Sequence, residues 1–133
     1  MSDPSRGLLD TSVLIDHPSI DPANLPDESA VSAITFAELA AGPHTTTDAA
    51  ERSRRQDRVH WATATFEPIP FDGDAARAYG RIVSAVRASG RKERSRVADL
   101  LIAATASSQG LALYTRNPDD FSPLDGIVEI RPV

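Results

Sequence analysis

Apolar positions in this chain fall in short bursts separated by longer amphipathic stretches. Gly7-Leu8-Leu9 leads straight into Asp10, Thr11 and Ser12, then Val13, Leu14 and Ile15. It reads as a short buried strand ending at Asp10, followed by a helical turn that Asp10 or Thr11 can cap. Pro18, Pro22 and Pro26 make the next stretch a loop. Residues 30–34 predict a second short strand, after which Thr35-Phe36-Ala37-Glu38 has the spacing of a capping box and Gly42-Pro43 ends the helix. Residues 48–65 predict a polar, Arg-rich helix with a modest apolar face of Ala49, Val59, Ala62 and Phe66. Residues 67–71 are short and extended, and Pro68 and Pro70 place them at a sheet edge. Asp72 or Asp74 caps the next helix, striped by Ala75, Ala78, Tyr79, Ile82, Val83 and Val86 and ended by Gly90. Residues 111–115 predict a third strand, 116–126 a loop and 127–130 a last strand.

The densest apolar stretch is residues 96–106. Val97, Leu100, Leu101 and Ala104 repeat at helical spacing, and Ile102 and Ala103 widen the stripe around most of the circumference. Such a helix belongs inside a domain, which makes Asp99 conspicuous: it either caps the helix or needs a cation, because an unmatched buried carboxylate is costly. Strands apolar on both faces and alternating with helices predict a parallel sheet covered on both sides. No repeat or linker divides residues 1–133, so the expectation is one α/β domain.

The composition, 41% hydrophobic and 25% charged over 133 residues, is that of an ordinary globular protein. No apolar run approaches the roughly 20 residues of a membrane span. The first residues carry no secretory pattern, and a cytoplasmic location is expected. The chain has no Cys, and His17, His44 and His60 are far apart in sequence, so a metal would be held by oxygen, favouring Mg²⁺ or Mn²⁺ over zinc. A net charge of -5 argues against a protein that coats nucleic acid. Two clusters depart from that balance: Arg52, Arg54, Arg55 and Arg58, and Arg87, Arg91, Lys92, Arg94 and Arg96. They are either solvated helix faces or, beside a group of carboxylates, grips for phosphate.

Ligands of a parallel α/β sheet sit beyond the carboxyl ends of its strands. Asp10 ends the first strand, Glu38 follows the second, the loop after the third carries Asn117, Asp119 and Asp120, and Asp99 opens its helix. Each acid has an ordinary alternative: a cap for Asp10, a capping-box partner for Glu38, a turn residue for Asp120, a solvated surface acid for Asp119. Brought to one edge, they would raise one another's pKa unless a divalent cation neutralised them. An acid-lined, metal-dependent cleft points to phosphoryl chemistry. Ser12 and Thr115 are placed to orient water or ligands, and Arg94, Arg96 and Arg116 to hold flanking phosphates.

Four stretches carry a family resemblance: Leu8-Leu9-Asp10-Thr11-Ser12, Ser32-Ala33-Ile34-Thr35-Phe36-Ala37-Glu38-Leu39, Ala98-Asp99-Leu100-Leu101-Ile102-Ala103-Ala104, and Tyr114-Thr115-Arg116-Asn117-Pro118-Asp119-Asp120-Phe121. In this order they resemble the motifs of PIN-domain ribonucleases, specifically the VapC toxins of prokaryotic toxin–antitoxin pairs. The resemblance implies a PIN-like three-layer α/β/α fold with a mainly parallel sheet, and a Mg²⁺- or Mn²⁺-dependent endoribonuclease acting on tRNA or rRNA. It also implies inhibition by a VapB-type antitoxin, and a homodimer. By position, Asp10, Glu38, Asp99 and Asp120 match the family's acids, with Asp10 and Asp99 as direct metal ligands. The chain departs from the pattern at Asn117, where many PIN domains carry Asp; that leaves the fourth acid to Asp120 or Asp119. A PIN-like module that binds RNA or protein without cutting is the rival reading. A phospho-acceptor domain would need a Lys after a later strand, where Lys92 is not, and an aspartyl phosphatase a second Asp where Ser12 stands.

Overall fold

A computed structural model describes residues 5–133; the reading of the extreme amino terminus therefore lies largely outside the described residues. Four strands form one sheet in the order β2-β1-β3-β4, with β1 Arg6–Leu9, β2 Glu28–Ala30, β3 Ala112–Thr115 and β4 Ile130–Pro132. Every pair is parallel, with Leu8 opposite both Ala30 and Leu113, and Leu113 opposite Ile130. Among the described residues no helix is long and apolar enough to cross a membrane.

The period-two alternation of strand side chains assigns the layers. Leu8 and Leu113 point into one core, with Ala78, Ile82 and Val86 of α4 (Gly73–Ala88) and Leu100, Ile102 and Ala103 of α5 (Val97–Gln109). Leu9, Ala112 and Tyr114 point to the other face, with Val13 and Leu14 of α1 (Thr11–Asp16), Leu39 of α2 (Ala33–Ala41) and Ala62 of α3 (Ala49–Thr65). Helices thus cover both sides of the sheet, giving the expected three layers.

The capping residues set the boundaries. The side chains of Asp10, Ser32, Asp48 and Asp72 each accept a backbone N–H at the start of α1, α2, α3 and α4. Gly110 ends α5 at φ 65, a left-handed conformation that glycine adopts without a Cβ clash.

Five sequence expectations need correction. Residues 30–34 are not a strand: β2 ends at Ala30, and Ser32 turns the chain into α2 by capping the Thr35 N–H at 3.1 Å. The apolar character of this stretch buries the start of a helix, and its backbone meets the edge segment at Ile69 (Ile69 N to Val31 O, 2.9 Å; Ala33 N to Ile69 O, 2.8 Å). The capping box at Thr35 and Glu38 therefore does not form. The last strand starts at Ile130 and not at 127, because Ile127 and Val128 donate back to the Leu124 carbonyl and close the 3-10 segment Pro118–Leu124. Val97, expected in the buried stripe, is 42% exposed; α5 begins there, and its burial starts at Leu100. Ala49, at the other end of the expected α3 face, is exposed as well.

Gly7 is required by close packing. A Cβ there would lie 2.3 Å from Tyr114 Cε1 and 3.1 Å from Pro26 Cγ. Gly7→Ala is expected to lower stability by about 1–3 kcal/mol through overpacking, read as an earlier urea midpoint with an unchanged slope. An unchanged midpoint would mean that the Tyr114 ring yields freely.

Candidate active site

The carboxyl ends of β1 and β3 lie side by side because the strands are parallel neighbours, so Asp10 and Thr115 meet at one edge. Asp10 is 3% exposed and fully engaged. Its Oδ1 accepts from the Thr11 N–H at 2.9 Å, and its Oδ2 accepts from the hydroxyls of Ser12 at 2.9 Å and Thr115 at 2.8 Å. Those hydroxyls are oriented in turn: Ser12 Oγ accepts from the Arg116 N–H and Thr115 Oγ1 from the Asn117 N–H. Burial raises the Asp10 pKa, the three hydrogen bonds oppose that, and the charge of Asp120 adds to it.

Asp99 sits in the first turn of α5, one residue ahead of the buried Leu100. Arg96 precedes the helix without a capping bond, so the cap alternative for Asp99 does not hold. Burial raises its pKa to about 6, with further contributions from the charges of Asp10, Glu38 and Asp120; Arg96 pulls the other way. Four acids from α5, the β1 end, α2 and the loop after β3 thus share one electrostatic neighbourhood.

Glu38 projects from α2, and its Oε1 accepts from the Thr11 hydroxyl at 2.6 Å. Asp120 lies in the 3-10 segment, where its Oδ1 pairs with Arg96 Nη1 at 2.9 Å, and the same nitrogen donates to the Asp120 carbonyl. Asp119 is exposed, and its backbone carbonyl accepts from Arg91. Asn117 is exposed as well; its carbonyl accepts from the Asp120 N–H, which closes the turn that presents Asp120. Of the basic residues singled out in the sequence, Arg116 is committed to Asp16 at 3.2 Å and the Val133 carbonyl at 2.8 Å. Arg94 lines an open cleft of about 360 Å³ with Arg87, Arg91 and Lys92.

Among the described residues, no three acids or histidines are already gathered into a cage for an ion. Mg²⁺ does not require one. It is commonly held by one or two carboxylates while keeping several waters and taking substrate phosphates as ligands. Hard oxygen donors and a carboxyl pushed to about 6 by burial and by the neighbouring acids fit such an ion. Thr11 and Thr35, legible in the sequence only as caps, both place their hydroxyls in the site: Thr11 Oγ1 lies 2.9 Å from Thr35 Oγ1 and donates to Glu38. The available signal was a run of hydroxyls, Ser32 and Thr35, inside an otherwise apolar stretch.

Comparison with known proteins gives a consistent result. Residues 7–127 match the PIN domain family. Ribonuclease VapC5 of Mycobacterium tuberculosis is 38% identical over 131 residues, covering 96% of this chain and 94% of that protein. Ribonuclease VapC8 of the same species is 41% identical over 101 residues, covering 75% and 89%. A crystal structure of VapBC-5, a member of the VapBC family of toxin–antitoxin systems from M. tuberculosis, superposes with a TM-score of 0.84 at 38% identity, covering 98% of both chains.

Proposed function

The chain belongs to the PIN-domain family, in its VapC branch, and from that premise we propose that it is the endoribonuclease toxin of a toxin–antitoxin pair. The observation that carries this reading is the convergence of Asp10, Glu38, Asp99 and Asp120, with the pKa of Asp99 raised to about 6 by burial and by the other three. Asp10 and Asp99 would hold Mg²⁺ or Mn²⁺ directly, with Glu38 and Asp120 completing the set through water. Such an ion supplies an acidified water and charge stabilisation at the leaving oxygen of a phosphodiester.

The chain's own residues do the rest. Thr115, Ser12 and the Thr11 N–H fix the Asp10 carboxylate at the strand end. Thr11 fixes Glu38 through Oε1, which leaves Oε2 to take a proton from the attacking water. Arg96 holds Asp120 in the neighbourhood of Asp99. Flanking phosphates of the RNA fit the cleft of Arg91, Lys92 and Arg94, since Arg87 beside them is paired through two nitrogens with Glu93 and Arg116 is engaged by Asp16 and the Val133 carbonyl.

A VapB-type antitoxin is the partner, as in the VapBC complex it resembles. A groove of about 410 Å³ lined by Leu14, Ile15, Pro18 and Trp61 and edged by Arg54 and Arg58 supports a seat for its apolar residues, since Ile15 is 45% exposed there. The toxin would act in the cytoplasm, where RNA and antitoxin are both met, and as a homodimer.

Incubated with total tRNA and rRNA, the purified chain is expected to produce discrete fragments with Mg²⁺ or Mn²⁺. EDTA should stop the cleavage and added Mn²⁺ restore it. Cleavage that persists in EDTA would remove the metal from the reading, and binding without cleavage at any metal concentration would leave a silent RNA-binding module.

A further inference from the structure

Thr35 is fully buried in α2, yet its hydroxyl belongs to a chain that ends on a site carboxylate. Ser32 Oγ lies 3.4 Å from Thr35 Oγ1, Thr35 Oγ1 lies 2.9 Å from Thr11 Oγ1, and Thr11 Oγ1 lies 2.6 Å from Glu38 Oε1. Each hydroxyl has one proton, and the two ends of the chain decide where each points. A carboxylate has no proton to give, so Thr11 must donate to Glu38. Having spent its proton there, Thr11 can only accept from Thr35. Thr35 in turn can only accept from Ser32, whose oxygen is itself oriented by the Thr35 N–H at 3.1 Å. The protons therefore all run toward Glu38, and successive bonds polarise one another in the same sense. The chain is anchored where Val31 and Ala33, on either side of Ser32, bond to Ile69 at the sheet edge.

We propose that Thr35 is a positioning residue for Glu38: by donating to the Thr11 hydroxyl it keeps the Thr11 proton on Oε1 and fixes the carboxylate of an exposed residue in one orientation. Resting on the nuclease reading above, this assigns Thr35 a part in turnover although it is buried beneath Thr11, with no surface of its own to offer RNA or ion.

The experiment compares Thr35→Val, which keeps the shape and removes the hydroxyl, with Thr35→Ser, which keeps the hydroxyl. Crystal structures of both are read together with RNA cleavage kinetics. In Thr35→Val the Thr11 hydroxyl is expected to turn away from Glu38, with kcat falling roughly ten- to hundredfold and KM unchanged. Thr35→Ser should restore both the contact and the rate. Thr11→Val, at a half-buried and more tolerant position, removes the last link and should reproduce the kcat loss if Thr35→Val does not fold. Thr11–Glu38 contact kept at 2.6 Å in Thr35→Val, or a kcat unchanged in Thr11→Val, overturns the proposal. If the wild-type chain cuts no RNA, the nuclease reading fails while the crystal structures still decide whether Thr35 orients Glu38.

Discussion

Asp99→Asn is expected to lower kcat for RNA cleavage by on the order of 10³-fold while making the metal-free protein more stable at neutral pH. The two effects share one cause. Burial and three neighbouring carboxylates hold the Asp99 pKa near 6, so above that pH the folded state carries a charge it disfavours. Asn has the same shape and no charge. It removes the repulsion and, with it, a proposed ligand. Ordinary loss of function through misfolding would lower stability, so opposite signs for activity and stability separate a site acid from a structural one.

The sign of the pH dependence follows from linkage. Between the unfolded value near 3.8 and the folded value near 6, the native state binds more protons than the unfolded chain. The protonated carboxyl therefore contributes stability that is present in full below about 3.8 and lost as pH rises through about 6. In Asp99→Asn that loss is absent, and at pH 8 without metal its melting temperature should exceed the wild type by roughly 2–6 °C. Adding Mn²⁺ should reverse the order, since an ion bound only by the folded wild type raises its stability by mass action. A wild-type curve that climbs relative to the variant over that pH range, or equal Mn²⁺ shifts in both proteins, would show that Asp99 is not held under repulsion.

What the sequence disclosed and what it hid have a common physical basis. Patterning located β1 and β3 closely, since each is a short apolar burst bounded by a cap or a turn, but it touched the polar β2 and the short β4 at only one residue each. It located Asp10 and Asp120 because they follow such bursts, and Asp99 because it is the lone carboxylate of an apolar helix. It misplaced boundaries where burial served another purpose. Val31 and Ile34 are apolar because they pack at the entrance to α2, and no local signal separates that from a strand. Ile127 and Val128 are apolar because they close the 3-10 segment under Phe121 and Leu124. The capping box was misassigned because two hydroxyls three residues apart, Ser32 and Thr35, compete for the role, and only the backbone contact with Ile69 selects Ser32. The network of Thr11, Thr35, Ser12 and Thr115 was the least legible feature. Hydroxyl partners separated by 24 and 105 positions leave no periodic trace.

Asp10→Ala should abolish cleavage as fully as Asp99→Asn but move stability the other way, by about 2–4 kcal/mol downward. Asp10 is the acceptor on which three donors close: the Thr11 N–H, the Ser12 hydroxyl and the buried Thr115 hydroxyl. Removing it takes away the α1 cap, worth typically ~1 kcal/mol, and leaves the donors of Ser12 and Thr115 facing an apolar methyl. Relief of the buried charge offsets part of that loss, since burial, joined by the charge of Asp120, holds the Asp10 pKa above its ordinary value despite those hydrogen bonds. The hydrogen-bond loss is expected to exceed that relief because Thr115 is fully buried, so its hydroxyl finds no water in place of the carboxylate, and because the same hydroxyls of Ser12 and Thr115 hold the Arg116 and Asn117 N–H groups. The disturbance would therefore pass into the loop that carries Asp120. Urea unfolding of the two variants side by side, without metal at pH 8, measures the contrast. If Asp10→Ala gains stability like Asp99→Asn, Asp10 is held by repulsion and its hydrogen bonds contribute little. A loss confined to Asp10→Ala identifies it as the acid around which the strand ends are assembled, and Asp99 as the one whose charge awaits a cation.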